Sequence, residues 1–325
     1  MTMPSRKVKT MIRDLFFVPV RAWGQLQARN YDINNTILLS CVPRGGSTWL
    51  AEILQTIPRY VGIWEPFHAS FNPDALRQGF SSSTYLPIGK VDPARSKYIY
   101  DLISGRGLSP RLISASNFNL EQLVSFQGYF IKLIRGNLIL PWLLDQYPIP
   151  TIYVVRHPCA VVNSQIQHPS WWKNVKSGGT VTVPDGVEND YPHLVEVAKS
   201  VTSVVEKLAF MWAVQTFIPM NMPKPHPWYL VTYEKFVEDG YNELQHMFNY
   251  LNKPVPEAAY KQLRIPSKST LDKSDFAQGK GALIGWQNNL TSEQISQILR
   301  VCHDVGVDFY TDDLYPDYSK LGINR

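Results

Sequence analysis

The sequence predicts an α/β fold in which a central parallel sheet is flanked by helices within a single domain. Short apolar segments, bounded by Gly, Pro, Asn or charged residues, alternate along the chain with segments of helical periodicity. This alternation is typical of a parallel sheet. The chain has 325 residues, of which 44% are hydrophobic and 18% charged, so it is long enough to bury a large core.

The strands are predicted where short apolar segments end in turn residues or charges. The expected strands are Thr36 to Val42, Tyr60 to Ile63, Tyr129 to Ile134, Thr151 to Val155 and Trp228 to Thr232. The strand at Tyr60 is expected to end at the same edge of the sheet as the first one.

The helices are predicted between and after these strands. The expected segments are Pro141 to Tyr147, Tyr241 to Leu251 and Ser292 to Cys302. The apolar residues from Leu194 to Met211 are spaced for one face, which predicts a single long helix that continues to about Phe217. Two polar stretches, 72–119 and 170–191, are expected to be irregular. Loops of this length usually carry binding function or mobility, so we interpret them as substrate loops.

The charge and the cysteines limit the classes of partner. The net charge of +5 is consistent with an anionic ligand and equally with ordinary surface bias. The basic residues are dispersed, which argues against nucleic-acid binding. Cys41, Cys159 and Cys302 are far apart and form neither a metal-binding spacing nor a disulfide framework. We therefore expect no metal site and a reducing, cytoplasmic location.

The N-terminal segment, Met1 to Asn30, combines basic residues with a short apolar run at 15–20. That run is too short and too interrupted to span a bilayer. The segment can lie on an anionic membrane as a peripheral amphipathic element, or it can form a helix on the outside of the domain. We divide the chain into an N-terminal extension (1–34), a main domain (35–310) and a C-terminal tail (311–325).

The first predicted strand runs into a glycine turn, Pro43 to Trp49, and then into a helix. This arrangement aims backbone N–H groups and a helix dipole at one point, which is typical of a phosphate site. The turn lacks the first glycine and the lysine of the nucleotide P-loop, Gly-x-x-x-x-Gly-Lys-Ser/Thr. The alternative is a strand–glycine–helix corner that binds no ligand.

The same turn resembles the sulfotransferases that use 3′-phosphoadenosine 5′-phosphosulfate (PAPS). Their 5′-phosphosulfate loop reads Pro-Lys/Arg-x-Gly-Ser/Thr-Ser/Thr-Trp, and Pro43 to Trp49 fits it at every defined position. Thr151 to Ser164 is similar to the 3′-phosphate segment of that family, in which an arginine is followed eight residues later by a serine. Arg156 and Ser164 have this spacing.

Two further segments carry the resemblance. Gly279-Lys280-Gly281, with Trp286 five residues after the second glycine, is similar to the Lys-Gly loop of the cytosolic branch. This sequence departs from that branch at Gly279, where the branch has a basic residue. Tyr233 follows a predicted strand where the family has a tyrosine near the adenine.

The resemblance implies a P-loop-type sheet, PAPS as the donor and adenosine 3′,5′-bisphosphate (PAP) as the product. It implies that Arg44 and the amides of the turn serve the 5′ end, and that Arg156, Ser164 and Lys280 serve the 3′ end. Trp49 and Tyr233 would stack on the adenine or pack in the core. The transferred group bears less charge than a phosphoryl group, so no metal is required. The residues implied to bind the nucleotide are Arg44, Gly45, Gly46, Ser47, Thr48, Trp49, Arg156, Ser164, Tyr233, Lys280 and Gly281.

The acceptor must lose a proton, and Glu65 is the candidate base. Carbohydrate and tyrosylprotein sulfotransferases similarly have a glutamate about 21 residues after the basic residue of the loop, and 21 residues separate Arg44 from Glu65. The carbohydrate branch often reads Glu-Pro-x-x-His, whereas here one residue fewer lies between Pro66 and His68. His68 is the rival base or a residue that orients Glu65. The alternative is that Glu65 caps a turn.

Four more residues are candidates for contacts with the sulfate or the acceptor. Lys132 and Arg135 resemble a Lys-x-x-Arg of carbohydrate sulfotransferases, and the alternative is a solvated strand end. Trp171 and Trp172 can stack on a sugar or aryl acceptor, or they can form a lid.

The resemblance favours a carbohydrate hydroxyl as the acceptor. The alternatives are a small alcohol, phenol or lipid acceptor, a P-loop kinase, and a non-catalytic paralogue that keeps the nucleotide site.

Overall fold

The computed structural model describes residues 21–68, 72–81, 83–109, 112–113, 124–168, 181–267 and 281–323. The expectations for the segment before residue 21, and for Trp171, Trp172 and Lys280, lie outside these ranges.

The described residues form a five-stranded parallel sheet, which confirms the predicted fold class. The strands are β1 (Thr36–Cys41), β2 (Tyr60–Trp64), β3 (Gly128–Leu133), β4 (Thr151–Val155) and β5 (Tyr229–Thr232). Their order is β2-β3-β1-β4-β5, so β1 lies in the centre. Because the paired strands are all parallel, their carboxyl ends lie together at one edge, the carboxyl edge of the sheet.

Four of the five strands are buried along their whole length. Every residue of β1, β3, β4 and β5 is buried, as expected for a parallel sheet that is covered on both faces. Most of the candidate site residues lie beyond the strand ends. Arg44, Glu65, Arg156 and Tyr233 all follow strands, which brings them to the carboxyl edge.

Helices connect and flank the strands. In chain order they are α1 (Ser47–Leu54), α2 (Pro73–Arg77), α3 (Pro93–Ile103), α4 (Leu140–Gln146), α5 (Pro158–Ile166), α6 (Val187–Asp190), α7 (His193–Ser200), α8 (Val204–Met220), α9 (Tyr233–Glu238), α10 (Gly240–Tyr250), α11 (Glu257–Gln262), α12 (Gly281–Asn289), α13 (Ser292–Val305) and α14 (Tyr318–Leu321).

The prediction of one long helix up to Phe217 is wrong, because the helix is interrupted between α7 and α8. Val201 has an extended backbone, with φ of −80° and ψ of 117°. Ser203 then starts α8 with a capping box. Its hydroxyl accepts from the Glu206 N–H at 3.2 Å, and the Glu206 carboxylate accepts from the Ser203 N–H at 2.9 Å. The apolar spacing continues across this break, so periodicity alone did not reveal it.

The polar stretch 72–119 is not wholly irregular, since it contains α2 and α3. Asp92 caps α3 by accepting from the Arg95 N–H at 3.0 Å, and Pro93 occupies the first turn. The helix buries Ile99, Leu102 and Ile103. An Asp-Pro start signal was therefore present in the sequence, although the polar composition of the stretch concealed it.

Residues 21–27 are helical and pack against the rest of the domain. Trp23 meets Phe126 edge to face, with ring centroids 5.0 Å apart, and Ala28 is buried. In its described part, this segment therefore matches the packed-helix alternative. Within the described ranges, we find no helix with the length and apolar character needed to cross a membrane.

Candidate active site

The glycine turn after β1 has a backbone that few residues adopt. Arg44 has a φ of +70° and Gly46 a φ of +99°. A Cβ atom on Gly46 would lie 2.4 Å from the ring of Tyr233. Glycine is therefore required at position 46 both by the backbone and by the close approach of Tyr233, the first residue of α9.

Gly46 is also the N-cap of α1 and gives it no side-chain cap. The first turn of a helix has N–H groups without intrahelical partners, and it carries the positive end of the helix dipole. The turn therefore presents backbone donors and a partial positive charge, as the sequence predicted for an anion site.

Two of the predicted amide donors are used within the turn itself. The Gly45 N–H donates to the Val42 carbonyl at 3.0 Å. Burial raises the pKa of the Cys41 thiol to about 12, and a hydrogen bond from the Ser47 N–H opposes that rise. This use of Gly45 and Ser47 differs from the prediction that every amide from Gly45 to Thr48 serves the anion, because so tight a turn needs internal hydrogen bonds.

Arg44, Ser164 and Arg156 are in direct contact. The Arg44 Nε donates to the Ser164 Oγ at 3.0 Å, and Arg156 donates to the Arg44 carbonyl at 3.1 Å. The sequence assigned Arg44 to one end of the nucleotide and the other two residues to the opposite end. In the structure, the two predicted phosphate sites adjoin and form one basic surface.

The two guanidinium groups lie in each other's electrostatic field. Burial lowers the pKa of Arg44, and the positive charge of Arg156 lowers it further. Arg156 also lies over the Tyr233 ring, with its Cζ 4.2 Å from the ring centroid. A bound anion would offset the repulsion between the two arginines. Gln165 was not predicted from the sequence. Its side chain donates to the Pro43 carbonyl at 3.2 Å and so stabilises the glycine turn.

Trp49 and Tyr233 are both buried, at 4% and 6% exposure. Trp49 meets Tyr233 and Phe236 edge to face, with centroids 6.0 and 5.4 Å apart, and its Nε1 donates to the Gln262 carbonyl at 3.4 Å. This packing matches the core alternative for both rings. A cavity of about 300 Å³ nevertheless lies beside Trp49, and its lining includes Phe236, Tyr260 and Arg264.

Lys132 and Glu65 form an ion pair at the carboxyl edge. The Lys132 Nζ lies 3.3 Å from Glu65 Oε1, donates to Thr48 Oγ1 at 2.9 Å and lies 4.7 Å from the centroid of a Trp64 ring. Lys132 is only 3% exposed, so it is not the solvated strand end that the sequence left open. Burial lowers its pKa, and Glu65 opposes that change.

The strand register explains this pairing. Trp64 on β2 lies opposite Lys132 on β3, and the Glu65 N–H donates to the Lys132 carbonyl at 2.9 Å. Glu65 has a φ of +45°, a conformation that is costly for a residue with a side chain. Strained residues of this kind often occur at functional sites.

His68 lies one turn of the chain beyond Glu65. Its N–H donates to the Glu65 carbonyl at 2.9 Å. Burial lowers the pKa of His68, the charge of Arg135 lowers it further, and Glu65 opposes both. The structure thus brings Glu65, His68, Lys132 and Arg135 into one group next to the glycine turn.

A buried hydrogen-bond network supports the opposite side of the turn. Glu234 is 1% exposed, and it accepts from the His157 N–H at 2.8 Å and from the Tyr310 hydroxyl at 2.9 Å. Burial raises the pKa of Glu234, while these hydrogen bonds and the charge of Arg156 oppose the rise. The sequence offered one signal for this network, since Glu234 directly follows Tyr233.

Gly281 begins α12, which packs against α5. Lys280, the residue before it, and the two tryptophans Trp171 and Trp172 lie outside the described residues.

Comparisons with known proteins identify no family for this chain. No protein-family model matches the sequence, and no curated protein matches it. Among solved structures, a mouse sulfotransferase complexed with PAP is 14% identical, with 85% of this chain and 84% of that chain covered and a TM-score of 0.42. A sulfotransferase domain from the curacin biosynthetic pathway is 15% identical, with 83% and 96% covered and a TM-score of 0.45. Retinol dehydratase in complex with retinol and PAP is 15% identical, with 92% and 88% covered and a TM-score of 0.39. At these values, the similarities carry no conclusion about activity.

Proposed function

We propose that this protein is a sulfotransferase that moves a sulfuryl group from PAPS to an acceptor hydroxyl. The observation that carries this proposal is the convergence of three cations, Arg44, Arg156 and Lys132, on the glycine turn beside Glu65. Such a transfer requires a binding site for the anionic sulfuryl donor and a group that accepts a proton from the acceptor hydroxyl. The sequence resemblance described above names the donor.

The hydrogen-bond donors of this site, which are guanidinium and backbone N–H groups, fit a nucleotide with phosphates at both ends. Guanidinium groups bind phosphate oxygens in pairs, and the uncapped start of α1 adds backbone donors. Burial lowers the pKa of Arg44, and the repulsion from Arg156 lowers it further; a bound anion would reduce that repulsion. We assign Arg44 with Gly46 and Thr48 to the 5′ end, and Arg156 with Ser164 to the 3′ end. Lys280 and Gly281 complete the proposed set at the 3′ end, whereas Gly45 and Ser47 shape the turn through the hydrogen bonds of their N–H groups.

The cavity beside Trp49 is our candidate for the adenine. Its volume of about 300 Å³ is at the small end of the range of ligand sites, which are mainly lined by apolar and aromatic side chains. Trp49 and Phe236 supply such a wall, and Arg264 supplies a polar group. Tyr233 would support the adenine site indirectly, because its ring packs against Gly46 of the glycine turn.

The chain's own residues have distinct parts in the proposed reaction. PAPS, when bound, supplies the sulfuryl group in an activated phosphosulfate linkage. Glu65 accepts the proton of the acceptor hydroxyl, and His68 orients it or replaces it as the base. Arg44 and the start of α1 stabilise the charge on the leaving phosphate. Lys132 is held between Thr48 and Glu65, so it adds positive charge between the proposed phosphosulfate site and the proposed base.

A carbohydrate hydroxyl is the proposed acceptor, and a small alcohol, phenol or lipid hydroxyl is the alternative. Arg135 is our candidate to meet an acidic group of the acceptor, which its effect on the pKa of His68, second to that of burial, supports. Trp171 and Trp172 stay sequence predictions for stacking on an acceptor ring.

Label transfer from ³⁵S-PAPS to a panel of glycans, phenols and alcohols tests the proposal, together with titration calorimetry of PAP. We expect PAP binding and transfer to one class of acceptor. Binding of PAP with no transfer to any acceptor would favour the non-catalytic paralogue. Binding of Mg-ATP in place of PAP would favour the kinase.

A further inference from the structure

His157 is a buried histidine that directly follows Arg156, and it is 1% exposed. Its Nδ1 accepts from the Cys159 N–H at 3.2 Å, which caps α5. Its Nε2 lies 2.9 Å from the Thr311 carbonyl. Because Nδ1 acts as an acceptor, we assign the ring proton to Nε2, which then donates to Thr311.

The ring of His157 is also enclosed by aromatic residues. Trp286 stacks on it, with centroids 4.4 Å apart and an interplanar angle of 13°, and Tyr310 meets it edge to face at 4.9 Å. Trp286 lies in α12, five residues after Gly281, and it is 2% exposed. The stack therefore fixes the helix that begins at Gly281 against the strand end that carries Arg156.

Two further contacts of His157 fix elements that carry residues of the proposed site. The cap on α5 fixes the helix of Ser164. The bond from the His157 N–H to Glu234 fixes the start of α9, where Tyr233 lies under the glycine turn. Neither Trp286 nor His157 has a part in the proposed reaction.

We propose that His157, together with Trp286, is a positioning residue for the half of the site assigned to the 3′-phosphate. It holds Arg156, the Ser164 helix and the helix that begins at Gly281 in one arrangement. This inference rests on the proposed function. Burial lowers the pKa of His157 to about 4, so the neutral ring acts through geometry and adds no charge.

The test compares PAP with adenosine 5′-phosphate, which differs from it by the absence of the 3′-phosphate. The dissociation constant of adenosine 5′-phosphate divided by that of PAP is the selectivity ratio, and it reports how much the 3′-phosphate contributes to binding. A mere loss of folded protein leaves this ratio unchanged. His157→Asn keeps a side-chain oxygen that can cap α5 but removes the stack. Trp286→Leu removes the stack from the other side, and Trp286→Phe keeps an aromatic ring.

We expect His157→Asn and Trp286→Leu each to reduce the ratio about tenfold, a size typical of residues that couple through direct contact. Trp286→Phe should keep most of the wild-type ratio, because it keeps an aromatic ring. The double variant His157→Asn/Trp286→Leu should lose little more than either single variant, because both changes remove the same stack.

A matched control is His193→Ala. Like His157, His193 has its Nε2 near a backbone carbonyl, that of Val305 at 3.1 Å, and it packs edge to face on Phe217. It lies outside the proposed site, so its variant should keep the wild-type ratio.

Three outcomes would count against the inference. An unchanged ratio in both stack variants, measured on folded protein, would overturn it, and so would additive losses in the double variant. If wild-type protein does not bind PAP, the proposed function itself fails, and the positioning role fails with it.

Discussion

The Nε of Arg44 donates a 3.0 Å hydrogen bond to the Oγ of Ser164, across 120 residues of sequence. Arg44 lies in the turn after β1, and Ser164 lies on α5 after β4. The two strands are neighbours in the sheet and run parallel, so both segments leave it at the same edge. The residues that the sequence assigned to the two ends of a nucleotide therefore begin from a common, preformed contact.

The two arginines provide the first prediction. Arg44→Ala and Arg156→Ala should each weaken PAP binding by about 10- to 100-fold, because a hydrogen bond to a charged group contributes roughly 1.5–3 kcal/mol. Titration calorimetry measures the dissociation constant directly. Arg77→Ala is the control, since the side chain of Arg77 is 71% exposed and pairs with Asp74 away from the turn. Equal affinity in all three variants would contradict the assignment of the site.

Glu65 provides the second prediction. Glu65→Gln keeps the size of the side chain but removes its ability to accept a proton, so turnover should fall by about 100-fold or more while PAP affinity stays near the wild-type value. Steady-state label transfer and PAP titration separate the two effects. Glu196→Gln, at a side chain that is 73% exposed, is the control. Full activity in Glu65→Gln would remove it as the base and leave His68.

Lys132 provides the third prediction. A buried ammonium loses hydration, which is why the pKa of Lys132 is lowered. Lys132→Met fills the same space without that cost, so we expect the melting temperature to stay equal or to rise. Turnover should fall by about 100-fold, as is typical when a group that stabilises developing charge is lost. A stability-driven loss of activity would instead show a lower melting temperature, and that result would argue against a functional role.

Part of this site was predictable from local sequence, and part was not. Arg44 and Arg156 each follow an apolar strand within a recognisable spacing, so the sequence located them. The pairing of Lys132 with Glu65 depends on the register of β2 against β3, which residues 67 positions apart cannot reveal locally. The burial of Lys132 has the same origin, because its position at a strand end suggested exposure.

The fold shows the same division. The apolar segments predicted all five strands, since a parallel strand buried on both faces is apolar throughout. The break between α7 and α8 was missed, because the apolar face continues from one helix to the next. The capping box of Ser203 and Glu206 was readable in the sequence, and it was the local signal that outweighed the periodicity.

Glu206 provides the fourth prediction. Burial acts to raise its pKa, but hydrogen bonds from Ser203 and Thr202 lower it to about 2. Glu206→Ala should lower the free energy of unfolding by about 1–2 kcal/mol, as is usual for the loss of a helix cap. Chemical denaturation measures this change, and Glu196→Ala is the matched control at an exposed helix position. An unchanged unfolding midpoint would show that the cap does not stabilise α8.

His157 provides the last prediction, which concerns the pH dependence of stability. Burial lowers the pKa of His157 to about 4, against an ordinary value of 6.5 in the unfolded chain. Between these values the unfolded state binds more protons, so the stabilisation is fully present above pH 6.5 and is lost as the pH falls towards 4. The loss should reach about 3 kcal/mol, since each unit of pKa difference corresponds to about 1.4 kcal/mol. Chemical denaturation at several pH values, with wild type and His157→Asn compared, isolates this contribution because Asn does not titrate. Parallel curves for the two proteins from pH 6.5 to 4 would show that His157 binds protons equally in the folded and unfolded states, which would contradict a lowered pKa in the folded protein.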